Sequence, residues 1–156
     1  MRSVFVGKHL RQLDDKGRLA IPAEYLSLLE GADRDALFIA PGKRGGLWLL
    51  PPSYYKGAFL EVAPRFDSVV PDEFFHDCQF RPLDKAGRIL VDQDARVLGA
   101  FTETPGSGGK VSVVVCGSGR YLQVWAQAEY DQKAISGRVL AQNLSGGGNV
   151  FPGMKP

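Results

Sequence analysis

Cysteine is scarce in this sequence, and so is the other residue that most often builds metal and nucleophile sites: two cysteines and two histidines stand in 156 residues. Cys78 and Cys116 lie 38 positions apart (116 − 78) and form no Cys-x-x-Cys pair, so a zinc-ribbon spacing and a disulfide framework are both excluded and two free thiols are expected. Long apolar runs are absent as well. The start, MRSVFVGKHL, has no extended apolar stretch and no small-residue cleavage site, and no run approaches the length that crosses a bilayer, so a cytoplasmic protein is expected. Charge of one sign is also missing: 19 Lys and Arg against 17 Asp and Glu give a net charge of +2. That balance permits nucleic-acid binding but excludes the strongly basic surface of a sequence-blind binder.

What is present is ordinary globular composition, 44% hydrophobic and 23% charged, with basic residues gathered near one end. Between Met1 and Ala20 stand Arg2, Lys8, Arg11, Lys16 and Arg18 against only Asp14 and Asp15.

The most informative feature is repetition. LDDKGRLAIP, from Leu13, returns as LDKAGRILVD, from Leu83, so that Leu13, Asp14, Gly17 and Arg18 recur as Leu83, Asp84, Gly87 and Arg88 at a displacement of 70 (84 − 14, 88 − 18). Leu47, Leu49 and Tyr55 match Leu122, Val124 and Tyr130 at a displacement of 75 (122 − 47, 130 − 55). The difference is absorbed by the Gly-rich loop from Thr104 to Gly109, where insertion is cheap.

Each copy reads alike. An extended segment (Phe5 to Leu13; Cys78 to Leu83) meets a polar Gly-containing turn and then a short apolar strand (Leu19 and Ile21; Ile89 and Val91), which is a hairpin signal. A short helix follows. In the first copy Pro22 suits the first helical position, Tyr25, Leu26, Leu28 and Leu29 supply a buried face, and Gly31 suits the C-terminal cap. In the second, Asp92 is the N-cap and Gly99 the stop. Leu37 to Ala40 with Leu47 to Leu50, and Val111 to Cys116 with Tyr121 to Trp125, read as hairpin strands, the first pair joined by a loop carrying Lys43 and Arg44. Helical stretches from Pro52 to Val62 and from Gln127 to Leu144, a Pro-interrupted linker and a disordered tail complete the reading. The fold class is thus mainly β with short helices (α+β), divided into a first unit over 5–55, a helical linker over 56–76, a second unit over 77–130, a C-terminal helix over 131–144 and a tail over 145–156. A unit of that size is marginal alone, so the two are expected to pack on each other as a pseudo-twofold fused duplicate and to associate further.

The order Phe5-x-Gly7, LDDKGRLAIP, GLWLLPPSYY, FFHDCQFRPLDKAGRILV and YLQVW resembles the MraZ family over most of the chain, with the paired Asp-x-x-x-Arg motifs Asp14 to Arg18 and Asp84 to Arg88 as its hallmark. The resemblance implies two tandem AbrB-like swapped-hairpin β-barrel units per chain, a ring-shaped homo-oligomer, and a nucleoid-associated transcriptional regulator that binds double-stranded DNA. The sites implied are short repeated sequences upstream of the division and cell-wall gene cluster, the regulator's own gene included. An AbrB-type antitoxin, binding DNA and a toxin, is the alternative. In the second copy Asp92 replaces Pro22, and Pro82 interrupts the strand before the motif.

The DNA-binding candidates are Arg18, Lys16, Arg88, Lys85, Lys8 and Arg11. A guanidinium can fork to a guanine edge in the major groove or neutralise a phosphate, and Lys16, Lys8 and Arg11 suit phosphates. Asp14, Gly17, Asp84 and Gly87 read as structural, each carboxylate holding a turn or its arginine. The competing reading is that Arg18 and Arg88 only pair with Asp14 and Asp84, and that the lysines are solvated surface charge. No catalytic residue, metal site, cofactor, small-molecule substrate or membrane is expected. The residues after Asp14 and Asp84 are not those of a shared-proton aspartate dyad, His9 and His76 lack triad or metal-ligand spacing, and the GSGGK segment has Val111 where a phosphate loop needs Ser or Thr.

Overall fold

The computed structural model describes residues 4–42, 44–56, 72–103 and 108–133. In chain order the strands are β1 (Lys8–Gln12), β2 (Arg18–Ala20), β3 (Ala36–Pro41), β4 (Leu47–Leu50), β5 (Gln79–Pro82), β6 (Arg88–Leu90), β7 (Ser112–Gly117) and β8 (Leu122–Ala126). The helices are α1 (Ala23–Leu26), α2 (Pro52–Tyr55), α3 (Asp72–Asp77), α4 (Gln93–Leu98) and α5 (127–133), with a 3₁₀ turn over Gly31–Arg34. The protein is mainly β with short helices, and every strand pairing is antiparallel. Of the expected segments, the rest of the Pro52 to Val62 and Gln127 to Leu144 helices, most of the linker, Lys43, part of the Thr104 to Gly109 loop and the tail lie outside the described residues.

Six strands form one sheet in the order β1-β7-β8-β4-β3-β5, and β2 with β6 forms a separate ribbon. Exchanging β1 with β5, β3 with β7 and β4 with β8 leaves that order unchanged when read backwards. The register agrees: Leu19 lies opposite Ile89 in the ribbon and Trp48 opposite Gln123 in the sheet, residues related by displacements of 70 (89 − 19) and 75 (123 − 48).

The sequence reading joins β1 to β2 as a paired hairpin, and here the structure differs. The turn between them closes, but β1 pairs with β7 over five positions, Lys8 opposite Cys116 to Gln12 opposite Ser112, while β2 pairs with β6 over three. β5 likewise leaves β6 to pair with β3. A three-residue strand offers few main-chain partners, and the Val113 to Val115 run, β-branched throughout, gives β1 a longer one. Pro82 does not interrupt its strand. It is the last residue of β5, at the sheet edge, where a missing N–H is tolerated.

Alternation along the strands divides the apolar residues between two cores. Leu37, Ile39, Leu47, Leu49, Val113, Val115, Leu122 and Val124 point to the face covered by the ribbon, where Leu19 and Ile89 are fully buried with Tyr25, Ala95 and Val91. On the opposite face Ala40, Leu50 and Tyr55 pack with Phe38, Trp48, Phe74, Phe75 and Tyr121 under α2 and α3. Phe38 stacks on Tyr55 at 3.9 Å between centroids, and Cys78, donating to the Phe74 carbonyl at 3.1 Å, has its thiol pushed up to about 11 by burial.

The helix ends also depart from expectation. Pro22 is the N-cap of α1 rather than its first residue, α1 stops at Leu26, and Gly31, at φ +56°, opens the 3₁₀ turn instead of capping α1. Asp92 caps α4, its carboxylate accepting the Ala95 N–H at 2.9 Å. Gly99 is the C-cap but keeps a right-handed conformation, and glycine is required there by close packing instead: a methyl would lie 2.8 Å from Phe101 Cε1 and 3.0 Å from Leu47 Cγ. The left-handed residue is Ala100 at φ +56°, with Phe101 N–H bonded to the Arg96 carbonyl (2.8 Å) and Ala100 N–H to that of Val97 (3.2 Å). Ala100→Gly should therefore stabilise the protein by about 1 kcal/mol, read as a raised denaturation midpoint with unchanged slope. A midpoint that does not rise would remove the strain assigned to Ala100.

Candidate functional site

The turn after β1 is built by one carboxylate. Asp14 Oδ1 accepts the main-chain N–H of Lys16 (2.9 Å) and Arg18 (2.8 Å), while Oδ2 accepts Nε of Arg18 at 2.7 Å. The Asp14 N–H bonds back to the Arg18 carbonyl at 3.0 Å, and Gly17 N–H reaches the Asp14 carbonyl at 2.9 Å. Gly17 sits at φ +79°, a conformation that a side chain resists. The second turn repeats every bond: Asp84 Oδ1 accepts from Ala86 and Arg88 N–H at 2.9 Å each and Oδ2 from Arg88 Nε at 2.8 Å, with Gly87 at φ +75°.

The ribbon then brings the turns together. Ile21 N–H donates to the Gly87 carbonyl (3.0 Å) and Val91 N–H to that of Gly17 (2.9 Å), so each turn is held by the strand of the other half. Arg88 Nη1 comes within 3.8 Å of Asp14 Oδ2, beyond hydrogen-bond reach but within ion-pair range. Arg18 and Arg88 thus lie on one short ribbon, each tethered through Nε to its own aspartate and each about one-third exposed, at 30% and 36%. No acceptor for the terminal nitrogens of Arg18 occurs among the described residues.

Compared with known proteins, the chain is 31% identical over 154 residues to a protein of Gluconobacter oxydans, covering 86% of this chain and 84% of that one. It is 30% identical over 141 residues to one of Thermus thermophilus, covering 87% and 90%. A relative from Thermobifida fusca is 27% identical over 157 residues, covering 97% and 99%. All three are named transcriptional regulator MraZ. No family model matches the chain. The chain belongs to the MraZ family.

In this MraZ-family chain, Lys16 and Lys85 stand exposed on the two turns beside the arginines, while Lys8 and Arg11 belong to β1 before the first turn. Lys8 faces the opposite side of the sheet, opposite Cys116, with Nζ 5.3 Å from the Tyr130 ring centroid. Arg11 lies on the edge strand and donates from Nη1 to the Leu10 carbonyl at 2.8 Å. Its counterpart 70 positions on, Arg81, is paired with Asp92 at 2.5 Å, and Gln79 donates to the same carboxylate at 3.1 Å. Pro22 stands where Asp92 does and leaves Arg11 no such partner.

Two further residues reach the turns: Arg96, which the sequence reading does not single out, and Leu26, which it places only on the buried face of a helix. Arg96 of α4 lies over Gly17, and Leu26 of α1 lies over Gly87: a methyl on either glycine would collide with the Arg96 guanidinium or the Leu26 Cδ1. The displacement of 70 (96 − 26) relates them too, so the signal was in the repeat.

Main-chain N–H groups, those of Arg18 and Arg88 first, hold the Asp14 and Asp84 carboxyls below the ordinary value of 3.8. For a lowered acid the folded state binds its proton later than the unfolded one. The stabilisation is therefore complete above 3.8 and is lost as pH falls below it. In Asp14→Asn/Asp84→Asn the amide oxygen still accepts the turn N–H bonds but carries no charge. Stability at neutral pH should fall, and the acid-side loss should flatten, leaving among the described residues the share of Asp92, whose carboxyl the Ala95 N–H holds low. Denaturant titrations at pH 7 and pH 3 check this, and an acid loss as steep as in the wild type would show that the turns do not carry it.

Proposed function

We propose that this chain is a sequence-specific DNA-binding transcriptional regulator, built as a fused duplicate of an AbrB-like swapped-hairpin unit over residues 5–55 and 77–130. On this reading its targets are short repeated sites upstream of the division and cell-wall gene cluster, including its own gene. The observation that carries the reading is the ribbon: two arginines on paired strands, each oriented by an aspartate through Nε, with the terminal nitrogens of Arg18 left for a ligand. A two-stranded ribbon fits the major groove, and an oriented guanidinium is the commonest reader of guanine there. Membership of a family whose members are named transcriptional regulators supports the same conclusion.

Further assembly into a ring is part of the proposal. β1 and β5 are the sheet's two edges, and each carries one exposed apolar residue at the equivalent place, Leu10 at 57% and Phe80 at 60%. Open edges of that kind invite pairing with another copy.

Two measurements test this. Purified protein should bind DNA from upstream of its own gene in preference to scrambled DNA, and Arg18→Ala should weaken binding more than Arg88→Ala. Arg88 already has a second carboxylate in range, whereas among the described residues Arg18 has only its own. One base contact is worth about 1–3 kcal/mol, multiplied over the copies a multimer engages. A folded Arg18→Ala protein with unchanged affinity and salt dependence would remove Arg18 from the interface. Light scattering at micromolar concentration should report a multimer. A clean monomer of 17.0 kDa would sink the ring and the avidity that depends on it.

A further inference from the structure

Both turn glycines are covered by a side chain from the opposite half, but with different chemistry. Leu26 closes over Gly87 with a branched apolar side chain, while Arg96 lays its guanidinium over Gly17, where a methyl would stand 3.0 Å from Cζ. Arg96 Nε donates to the Val91 carbonyl at 3.0 Å, which fixes the plane of the fork. No carboxylate pairs with Arg96 among the described residues, and neither Nη has an acceptor there. The use of leucine at the counterpart position shows that covering a turn glycine needs no charge.

Local charge sharpens the point. From Asp14 to Arg18 two carboxylates face two cations, a balance of zero; from Asp84 to Arg88 one carboxylate faces two cations, an excess of one. The first turn, alone, is the poorer site for a polyanion. With Arg96 it equals the second.

We infer that Arg96 is a phosphate-contacting residue, delivered by the second half to the turn of the first, so that the two turns meet a DNA backbone on unequal terms: one through a fixed guanidinium fork, the other across an apolar seal. This rests on the DNA-binding reading above and adds to it a specific cation outside the Asp-x-x-x-Arg motifs. An arginine whose Nε is already bonded loses little freedom on meeting phosphate, and its remaining fork matches two phosphate oxygens. A phosphate contact positions the protein without reading sequence.

The test is equilibrium binding to a duplex from upstream of the gene and to a scrambled duplex of equal length, over a series of salt concentrations. The wild type is compared with Arg96→Leu, Arg96→Lys and Leu26→Arg. Arg96→Leu copies the other half's own solution, so it keeps the turn covered and removes only the charge. It should weaken binding to both duplexes by the same factor and lower the slope of log K against log salt by about 0.9 per engaged copy. Arg96→Lys should restore the slope, and Leu26→Arg should raise it. Should Arg96→Leu melt early, the Arg96→Lys and Leu26→Arg slopes still decide: no recovery in the first and no gain in the second overturn the assignment. Wild-type binding with an unchanged slope in Arg96→Leu overturns Arg96 alone. A wild type that binds neither duplex overturns the DNA reading and Arg96 with it.

Discussion

Leu19 and Ile89 face each other across a ribbon of only three residue pairs, both with no exposed surface, and the rest of the molecule is arranged around keeping them so. A ladder of three residue pairs cannot by itself hold two strands together in water. The ribbon survives because its inner side chains are sealed by the six-stranded sheet, each fully buried aliphatic contributing about 1.5–3 kcal/mol. The sheet in turn depends on exchange between the halves: β1 closes on β7 and β5 on β3. Strands from both parts of the chain therefore supply one another's partners, and one core is drawn from both.

That dependence places the two Asp-x-x-x-Arg turns. Each begins where a sheet strand leaves for the ribbon, and its glycine carbonyl accepts from the other half's strand. The aspartate then serves both the chain, through two N–H bonds, and the arginine, through one. An exposed Asp–Arg pair by itself contributes at most about 1 kcal/mol. Its value here is geometric, because it fixes Nε and leaves the fork's remaining nitrogens aimed by the turn. The reading in which these arginines pair with aspartate and the reading in which they meet DNA are therefore compatible: Nε does the first, and the terminal nitrogens, those of Arg18 above all, are left for the second.

Much of this was legible in the sequence, for identifiable reasons. The recurrence at 70 located both turns, because Gly17 and Gly87 occupy a left-handed conformation and Asp14 and Asp84 a bonding role that few other residues fill. Asp92 was readable as an N-cap by its side chain alone. Strand partners were not legible, since the pairing of β1 with β7 rather than β2 is decided by long-range burial and leaves no local mark. Gly31 and Gly99 misled in opposite ways, one left-handed but outside a helix end, the other at a helix end but not left-handed, where close approach to Phe101 and Leu47 sets the requirement. The candidate site suffered similarly. Charge marked Lys8, which the sheet turns to its other face, and Arg11, which stays on the edge strand, but it did not mark Arg96, whose place the displacement of 70 from Leu26 gives.

Where the two halves keep and where they lose their likeness follows from the same constraint. In the core the counterparts remain aliphatic: Leu37 with Val113, Ile39 with Val115, Leu49 with Val124. A polar group there would be buried without a partner, at a cost of about 1–3 kcal/mol. Around the turns the counterparts change chemistry altogether, buried Pro22 against half-exposed Asp92 and Leu26 against Arg96, both half-exposed. Each change alters which cations are free. Asp92 engages Arg81, while Pro22 leaves Arg11 with a carbonyl; Arg96 adds charge at the first turn, while Leu26 adds none at the second. The backbone of the ribbon is close to twofold, but its charge is not. On the DNA reading, a duplex would meet a scaffold that fits it equally in either direction and a charge pattern that does not, so the polarity of docking would rest on side chains that the fold itself does not require.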